Sequence, residues 1–407
     1  MSSSLRHMLG HSFIFIVFDG INKAIPFLLL PYLTHRLATT EFGLLELFNT
    51  YVALLVLLIM FGVDGWCSAH FHKLERNVFS GMLRLGLLSI AGVFVVSMLM
   101  MMFFADDPRF ILAPLYALGM CLIQIRAILY RFELKTIKAS MLLFLNVAVS
   151  SLLTIVAFEL MNPGLTWRLA ALLLPVVCLG GGSCYSLCRQ FPVLSKPNGS
   201  IRALWKFTLP LLPNGLINFV RFGADRFFVA KVFGVSQLAL FGVGYQFAMV
   251  ANIFMLSLNQ AVMPFMMKYL STGEYRVYIK VSSILMVLFL IFISILYFLT
   301  PYMLQLFFSS AYSSAEKISN LYYLSYPMIF ASILFMNVAF FNGNTKVVLY
   351  ITSASSFVHF VFLYIQMNSS PSIYSTPLGL IISSLVSLML SMIYFYVEIK
   401  STNKNEN

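Results

Sequence analysis

Long apolar runs separated by short polar breaks cover nearly the whole chain. They lie at 12–33, 42–63, 79–104, 110–131, 139–160, 165–187, 207–231, 238–262, 279–300, 318–341, 346–367 and 375–398. Each is long enough for a helix of about 20 residues, which crosses a hydrocarbon core of ~30 Å. The breaks carry turn chemistry, as in Asn162-Pro163-Gly164, Ser271-Thr272-Gly273 and Asn342-Gly343-Asn344. The pattern predicts an all-α, polytopic membrane protein with about twelve transmembrane helices. The short segment before the first run lacks a small-residue cleavage site at the run's end, so the first run is expected to be a retained span.

Polar residues inside these runs interrupt the pattern in a particular way. Span one carries Asp19 and Lys23, four apart on one helical face, with Asn22 beside them. Span seven carries Asn214, Asn218, Arg221 and Asp225, with Arg226 alongside. Read as one helix, that set forms a continuous stripe about 16 Å long at about 1.5 Å per residue. A charged side chain at mid-bilayer costs about 2.5–3.5 kcal/mol on insertion scales, and such residues usually face water or a substrate path. Lys23, Asn22, Arg221, Arg226, Asn214 and Asn218 are therefore candidate substrate-binding groups, with the cations suited to an anionic head group. Asp19, Asp225, Glu46 and His359 are candidates for carrying a coupling proton or Na⁺. The alternative is that Asp19–Lys23 and Arg221–Asp225 are only intrahelical ion pairs, which reduce the cost of burial without abolishing it. Milder stripes, such as Tyr245, Asn252 and Asn259 or Asn146, Ser150 and Thr154, suit hydrogen bonds between helices. Pro26, Pro210 and Pro213 predict bends in spans one and seven.

Charge sets the expected orientation. With the N-terminus in the cytoplasm, 18 of the 26 Lys and Arg fall on the cytoplasmic side, five fall outside (Arg36, Arg109, Arg168, Lys231 and Lys317), and three (Lys23, Arg221 and Arg226) lie within spans. That bias predicts cytoplasmic termini and an even number of spans. It also explains the net charge of +12 without nucleic acid, for which there is no motif. The longest positive break divides the chain into an N-terminal half at 1–187, a cytoplasmic linker at 188–206, a C-terminal half at 207–398 and a cytoplasmic tail at 399–407. Thr40-Glu41-Phe42-Gly43-Leu44-Leu45 can be laid on Ser236-Gln237-Leu238-Ala239-Leu240-Phe241 at an offset of 196, which suggests a repeat.

Composition narrows the class. At 60% apolar and 10% charged residues, the chain is far from a soluble domain, which carries about 25% charge. The five cysteines show no disulfide spacing, and Cys67, His70 and His72 are too irregular for a metal site. No Gly-rich phosphate loop ending in Gly-Lys-Ser/Thr is present, and Gly180-Gly181-Gly182-Ser183 reads as helix packing. No cofactor or metal is expected.

Several segments carry a family resemblance. Pro26-Phe27-Leu28-Leu29-Leu30-Pro31-Tyr32-Leu33-Thr34-His35-Arg36-Leu37 followed by Thr40-Glu41-Phe42-Gly43, and then Phe61-Gly62-Val63-Asp64-Gly65, resemble the first hairpin of polysaccharide flippases. These are the Wzx-type translocases of the multidrug/oligosaccharidyl-lipid/polysaccharide (MOP) exporter superfamily. Leu209-Pro210-Leu211-Leu212-Pro213-Asn214 and Ala224-Asp225-Arg226-Phe227-Phe228 resemble the start of that family's second half. Relatives often have an Arg before an aromatic after span two, whereas His70-Phe71 stands here. The resemblance implies two six-helix bundles around a central cavity, in a bacterial inner membrane. It implies alternating access, coupled to an ion gradient, that moves an undecaprenyl-pyrophosphate-linked repeat unit such as O-antigen from the cytoplasmic to the periplasmic leaflet. The implied partners are that lipid-linked oligosaccharide, membrane lipids and other assembly proteins such as the polymerase.

Two other readings are weighed. A polysaccharide polymerase or ligase is expected to place catalytic residues in a large external loop, but the longest external break, about 300–317, holds only Glu316 and Lys317 as charged residues. An ion-coupled exporter of small cations would suit an acidic cavity better than a basic one.

Overall fold

The structure, a computed structural model, describes the backbone of residues 3–105, 107–192 and 200–405, and the side chains of these except 3–17, 19 and 399–405. The Asp19 side chain and residues 193–199 of the expected linker thus lie outside the described residues. No strand occurs among the described residues, which form fifteen α-helices and two short 3₁₀ turns. Among the described residues, ten helices are long and apolar enough to cross a membrane. The chain divides into two compact units, 1–216 and 217–407.

The N-terminal unit contains α1 (Ser3–Arg36), α2 (Thr39–Met60), α3 (Val63–His70), α4 (Arg76–Phe104), α5 (Leu112–Phe132), α6 (Thr136–Leu160), α7 (Leu165–Gln190) and α8 (Ile201–Thr208). Pro26 and Pro31 both lie inside α1 without ending it. The second span stops early because Phe61 and Gly62 enter the left-handed region, at φ 51° and 71°, and α3 restarts beyond them. Helices α5 and α7 cross where glycines remove the side chains: a Cβ on Gly180 would come within 2.8 Å of the Gly119 Cα. Gly181 and Gly182 face open space. Helix α4 lies at the periphery and exposes Val95, Val96, Leu99, Met100, Phe103 and Phe104, as a lipid-facing helix does.

The predicted seventh span, 207–231, is not one helix. It is broken into the end of α8, α9 (Leu211–Phe222) and α10 (Asp225–Phe233). Pro210 lacks the N–H that would continue α8, while Pro213 falls in the first turn of α9, where a helix needs no such donor. At the second break, the N–H groups of Gly223 and Ala224 both donate to the Phe219 carbonyl, at 2.7 and 2.9 Å. One helical bond is doubled and the register is lost. Gly234, at φ 82°, ends α10.

Helix α8 belongs to the N-terminal unit. Leu204 and Thr208 are fully buried, and Trp205 Nε1 donates to Ser89 Oγ of α4 at 3.0 Å. Gly215 lies against Leu57 of α2. These contacts carry the unit to residue 216, beyond the position 207 at which the C-terminal half is expected to begin.

The C-terminal unit holds α10, α11 (Val235–Ser271), α12 (Tyr275–Phe307), α13 (Ala315–Phe341), α14 (Thr345–Ser369) and α15 (Ser375–Asn405), with the end of α9. Helix α13 is central and buries Tyr322, Tyr323 and Tyr326. It packs on a serine face of α15, where Ser332 Oγ and Ser387 Oγ lie 2.8 Å apart. Small residues allow that close approach. Helices α2 and α11 begin at Thr39 and Val235, the same offset of 196 that aligns the sequence repeat. Phe42, Gly43 and Leu45 are buried, as are Leu238, Ala239 and Phe241.

Candidate functional site

In the C-terminal unit, Asp225 begins α10 at the second break of the seventh span. Its carboxylate meets α14: His359 Nε2 lies 2.8 Å from Asp225 Oδ1. The hydroxyl of Tyr322, on α13, donates to Oδ2 at 3.4 Å. Asp225 is 4% exposed and His359 is fully buried. The alternative reading of Arg221–Asp225 as an intrahelical pair therefore does not hold in this structure. The pair requires a continuous helix across 223–224, and the break there removes the four-residue relation. The long polar stripe is interrupted for the same reason.

Arg221 is left in an unusual position. It is 5% exposed, and its Nε and Nη2 have no hydrogen-bond partner among the described residues. Its guanidinium carbon lies 5.2 Å from the Phe222 ring. Arg226 sits over the Tyr245 ring at 4.2 Å, within cation–π range. The Tyr245 hydroxyl donates to the Phe222 carbonyl at 3.2 Å, so it caps the last residue of α9. Asn214 and Asn218 lie on the exposed face of α9. Asn259 of the eighth span accepts from Asn337 Nδ2 at 3.0 Å, which joins α11 to α13.

In the N-terminal unit, Lys23 is exposed and Asn22 is half-buried. The Asn22 Oδ1 is enclosed without a hydrogen-bond partner among the described residues. Glu46 on α2 is 3% exposed. The sequence reading missed Arg168. Counted with an external break, it lies in the first turn of α7, is buried, and donates from Nη1 to Thr154 Oγ1 of α6 at 2.5 Å. The available signal was an arginine at the edge of an apolar run with no acidic neighbour. Tyr322 was missed as a partner of Asp225 because nothing in a tyrosine-rich apolar run marks one hydroxyl over the others.

A second polar cluster closes one end of this unit. Arg126 Nη1 donates to Gln190 Oε1 at 2.6 Å, and Gln190 Nε2 donates to Glu133 Oε1 at 2.5 Å. Lys135 Nζ lies 2.7 Å from Glu133 Oε2. Burial raises the Glu133 pKa, but hydrogen bonds from Lys135 and Gln190 and the nearby cations outweigh it and hold the carboxyl below its ordinary value. Arg84 of α4 donates to the Cys188 and Phe191 carbonyls at the end of α7. Arg84 and Arg126, read as loop cations, thus pin helix ends.

The model for the family described as polysaccharide biosynthesis protein matches residues 9–270, well over half of the chain. The chain belongs to this family. A model named MatE matches residues 210–365. An uncharacterized membrane protein of Haemophilus influenzae is 22% identical over 361 residues, covering 86% of this chain and 88% of the relative. A second protein of that organism, Lsg locus putative protein 1, is 22% identical over 262 residues, covering 62% of this chain and 64% of its own length. Among solved structures, an inward-facing multidrug resistance MATE family transporter of the MOP superfamily superposes with a TM-score of 0.73 at 15% identity, covering 97% of this chain and all of the other. The lipid II flippase MurJ, in an inward closed conformation, gives 0.72 at 14% identity, covering 95% and 90%. The fold of this polysaccharide biosynthesis family member is therefore that of the MOP transporters and flippases.

Proposed function

We propose that this protein is a flippase for an undecaprenyl-pyrophosphate-linked oligosaccharide, such as an O-antigen repeat unit. It moves the head group from the cytoplasmic to the periplasmic leaflet of a bacterial inner membrane by alternating access coupled to an ion gradient, with both termini cytoplasmic and no bond chemistry. Within the polysaccharide biosynthesis family, the observation that carries the reading is Arg221. A guanidinium buried in an apolar unit, with two of its nitrogens unpartnered among the described residues, calls for an anion, and a planar fork of donors suits phosphate oxygens. Lys23 and Arg226 are the further cations proposed to meet the pyrophosphate, with Asn22, Asn214 and Asn218 meeting polar groups of the head. Asp19, Asp225, Glu46 and His359 remain the coupling candidates. Membrane lipids and a polysaccharide polymerase are the proposed partners.

The match of a MatE model to 210–365 favours a second reading, an ion-coupled exporter of small molecules. The deciding experiment is deletion of the gene in its host. A flippase null traps single lipid-linked units on the cytoplasmic face, and the cloned chain restores surface polysaccharide. Export of single units by the null points instead to a polymerase. Unchanged polysaccharide with increased drug sensitivity supports the exporter.

A further inference from the structure

We propose that Asp225 has two alternative partners, His359 and Arg221, and that one proton on His359 selects between them, making the proton the coupling ion. The proposal rests on the reading of this chain as an ion-coupled flippase and deepens it.

The geometry on the His359 side is closed. His359 Nε2 holds Asp225 Oδ1 at 2.8 Å, and the ring's Nδ1, buried without a hydrogen-bond partner among the described residues, lies against Gly379 of α15, where a Cβ would come within 3.1 Å. The imidazole fills a slot cut for it. On the other side, Arg221 stands four residues before Asp225 with Nε and Nη2 unpartnered among the described residues. In a continuous helix those two residues share a face and pair. The break at 223–224 interrupts that relation; it consists of a doubled bond to the Phe219 carbonyl next to a glycine and the Tyr245 hydroxyl on the Phe222 carbonyl. Helix α10 is nine residues long and ends at Gly234 in a positive-φ conformation, so it can re-register as a unit.

Charge supplies the switch. With imidazolium at 359, the pair is neutral overall and doubly charge-assisted. When His359 gives its proton to water, the imidazole is neutral and the carboxylate keeps its full charge in an apolar setting. The permanent cation at Arg221 is then the stronger partner. Among the described residues, the charged and titratable groups around the pair are Arg221 from α9, Arg226 from α10, Tyr245 from α11, and Tyr322 and Tyr326 from α13. Arginine and tyrosine do not change charge between about pH 5 and 8, whereas histidine does. An alkali cation needs several oxygen ligands, and here an imidazole occupies one face of the carboxylate. Proton binding thus frees Arg221 for an anionic head group. Proton loss makes Asp225 compete with that anion.

Amide hydrogen exchange on the purified, ligand-free full chain in nanodiscs tests this. Peptides covering 219–228 are followed at about pH 5.5 and about pH 8, corrected for intrinsic rates. The expected result is exchange slower by about tenfold at the higher pH, as the helix closes across the break. Asp225→Asn and His359→Gln each abolish the pH dependence, and added Na⁺ leaves it unchanged. A wild-type chain with no pH dependence, a variant that retains it, or a response to Na⁺ at fixed pH overturns the proposal. Complementation of the null strain is scored separately. Failure there with an intact exchange switch rejects the flippase reading alone, and the reverse result rejects the switch alone.

Discussion

His359 Nε2 lies 2.8 Å from Asp225 Oδ1, although 134 residues separate them. Both side chains are buried among apolar helices, so each is the other's compensation for lost water. Removing one partner of such a pair leaves an uncompensated buried group and costs about 3–5 kcal/mol.

Asp225→Leu, which leaves His359 Nε2 without its acceptor and Arg221 without its alternative partner, is therefore expected to lower the unfolding temperature of the purified protein clearly. The double variant Asp225→Leu, His359→Leu is expected to recover part of the loss, because the unpaired imidazole is gone. Thermal unfolding in one detergent checks both. Equal losses in single and double variants would show that the pair is not the stabilising unit.

Arg221→Ala and Lys23→Ala are expected to reduce surface polysaccharide while membrane levels of the protein stay normal. A charge-assisted contact is worth about 1.5–3 kcal/mol, so a loss of about tenfold or more is expected for Arg221. Arg221→Lys should recover only part, since an ammonium lacks the planar fork. Polysaccharide blots beside immunoblots of the membrane fraction give the result, and wild-type polysaccharide in both alanine variants would sink the binding assignment.

Gly119→Ala places a Cβ 2.4 Å from Val176 Cγ1 and 2.8 Å from the Val176 carbonyl oxygen. The α5–α7 crossing must then open, at a cost of about 1–3 kcal/mol. Gly181→Ala meets nothing within 4 Å and is expected to be neutral or slightly stabilising, by up to ~1 kcal/mol. Unfolding temperatures of the two variants separate a packing glycine from a merely tolerated one.

The Arg126–Gln190–Glu133–Lys135 cluster carries a pH dependence of known sign. The Glu133 carboxyl is held below its ordinary value in the folded protein, so the unfolded chain binds its proton more readily. The contribution is present above the ordinary carboxylate range and is lost as pH falls through and below it. Glu133→Gln is expected to flatten that part of the stability–pH curve. An unchanged acid limb in the variant would assign the effect to other carboxylates.

The first helix of each half was marked in the sequence by polar residues that lipid does not tolerate without a reason. Asp225 and His359 were both singled out that way, yet as separate candidates. Their pairing depends on α10 and α14 lying side by side, and no spacing along the chain encodes that. Arg168 escaped notice because counting loop charges treats residues near a span end as solvated, whereas this arginine bonds Thr154 inside the unit.

Hydrocarbon is a uniform solvent that demands long apolar helices, so the sequence by itself determined the all-α membrane class, the limits of most spans and the repeat offset of 196. What it did not determine is the path of span seven. Apolar periodicity is blind to a helix that stops and restarts, because the residues on either side of Pro210 are as apolar as any others and the charged residues flanking Gly223 keep a helical four-residue spacing. Only the tertiary structure decided that Asp225 leaves Arg221 for His359, since that choice is made by three helices packing around one carboxylate.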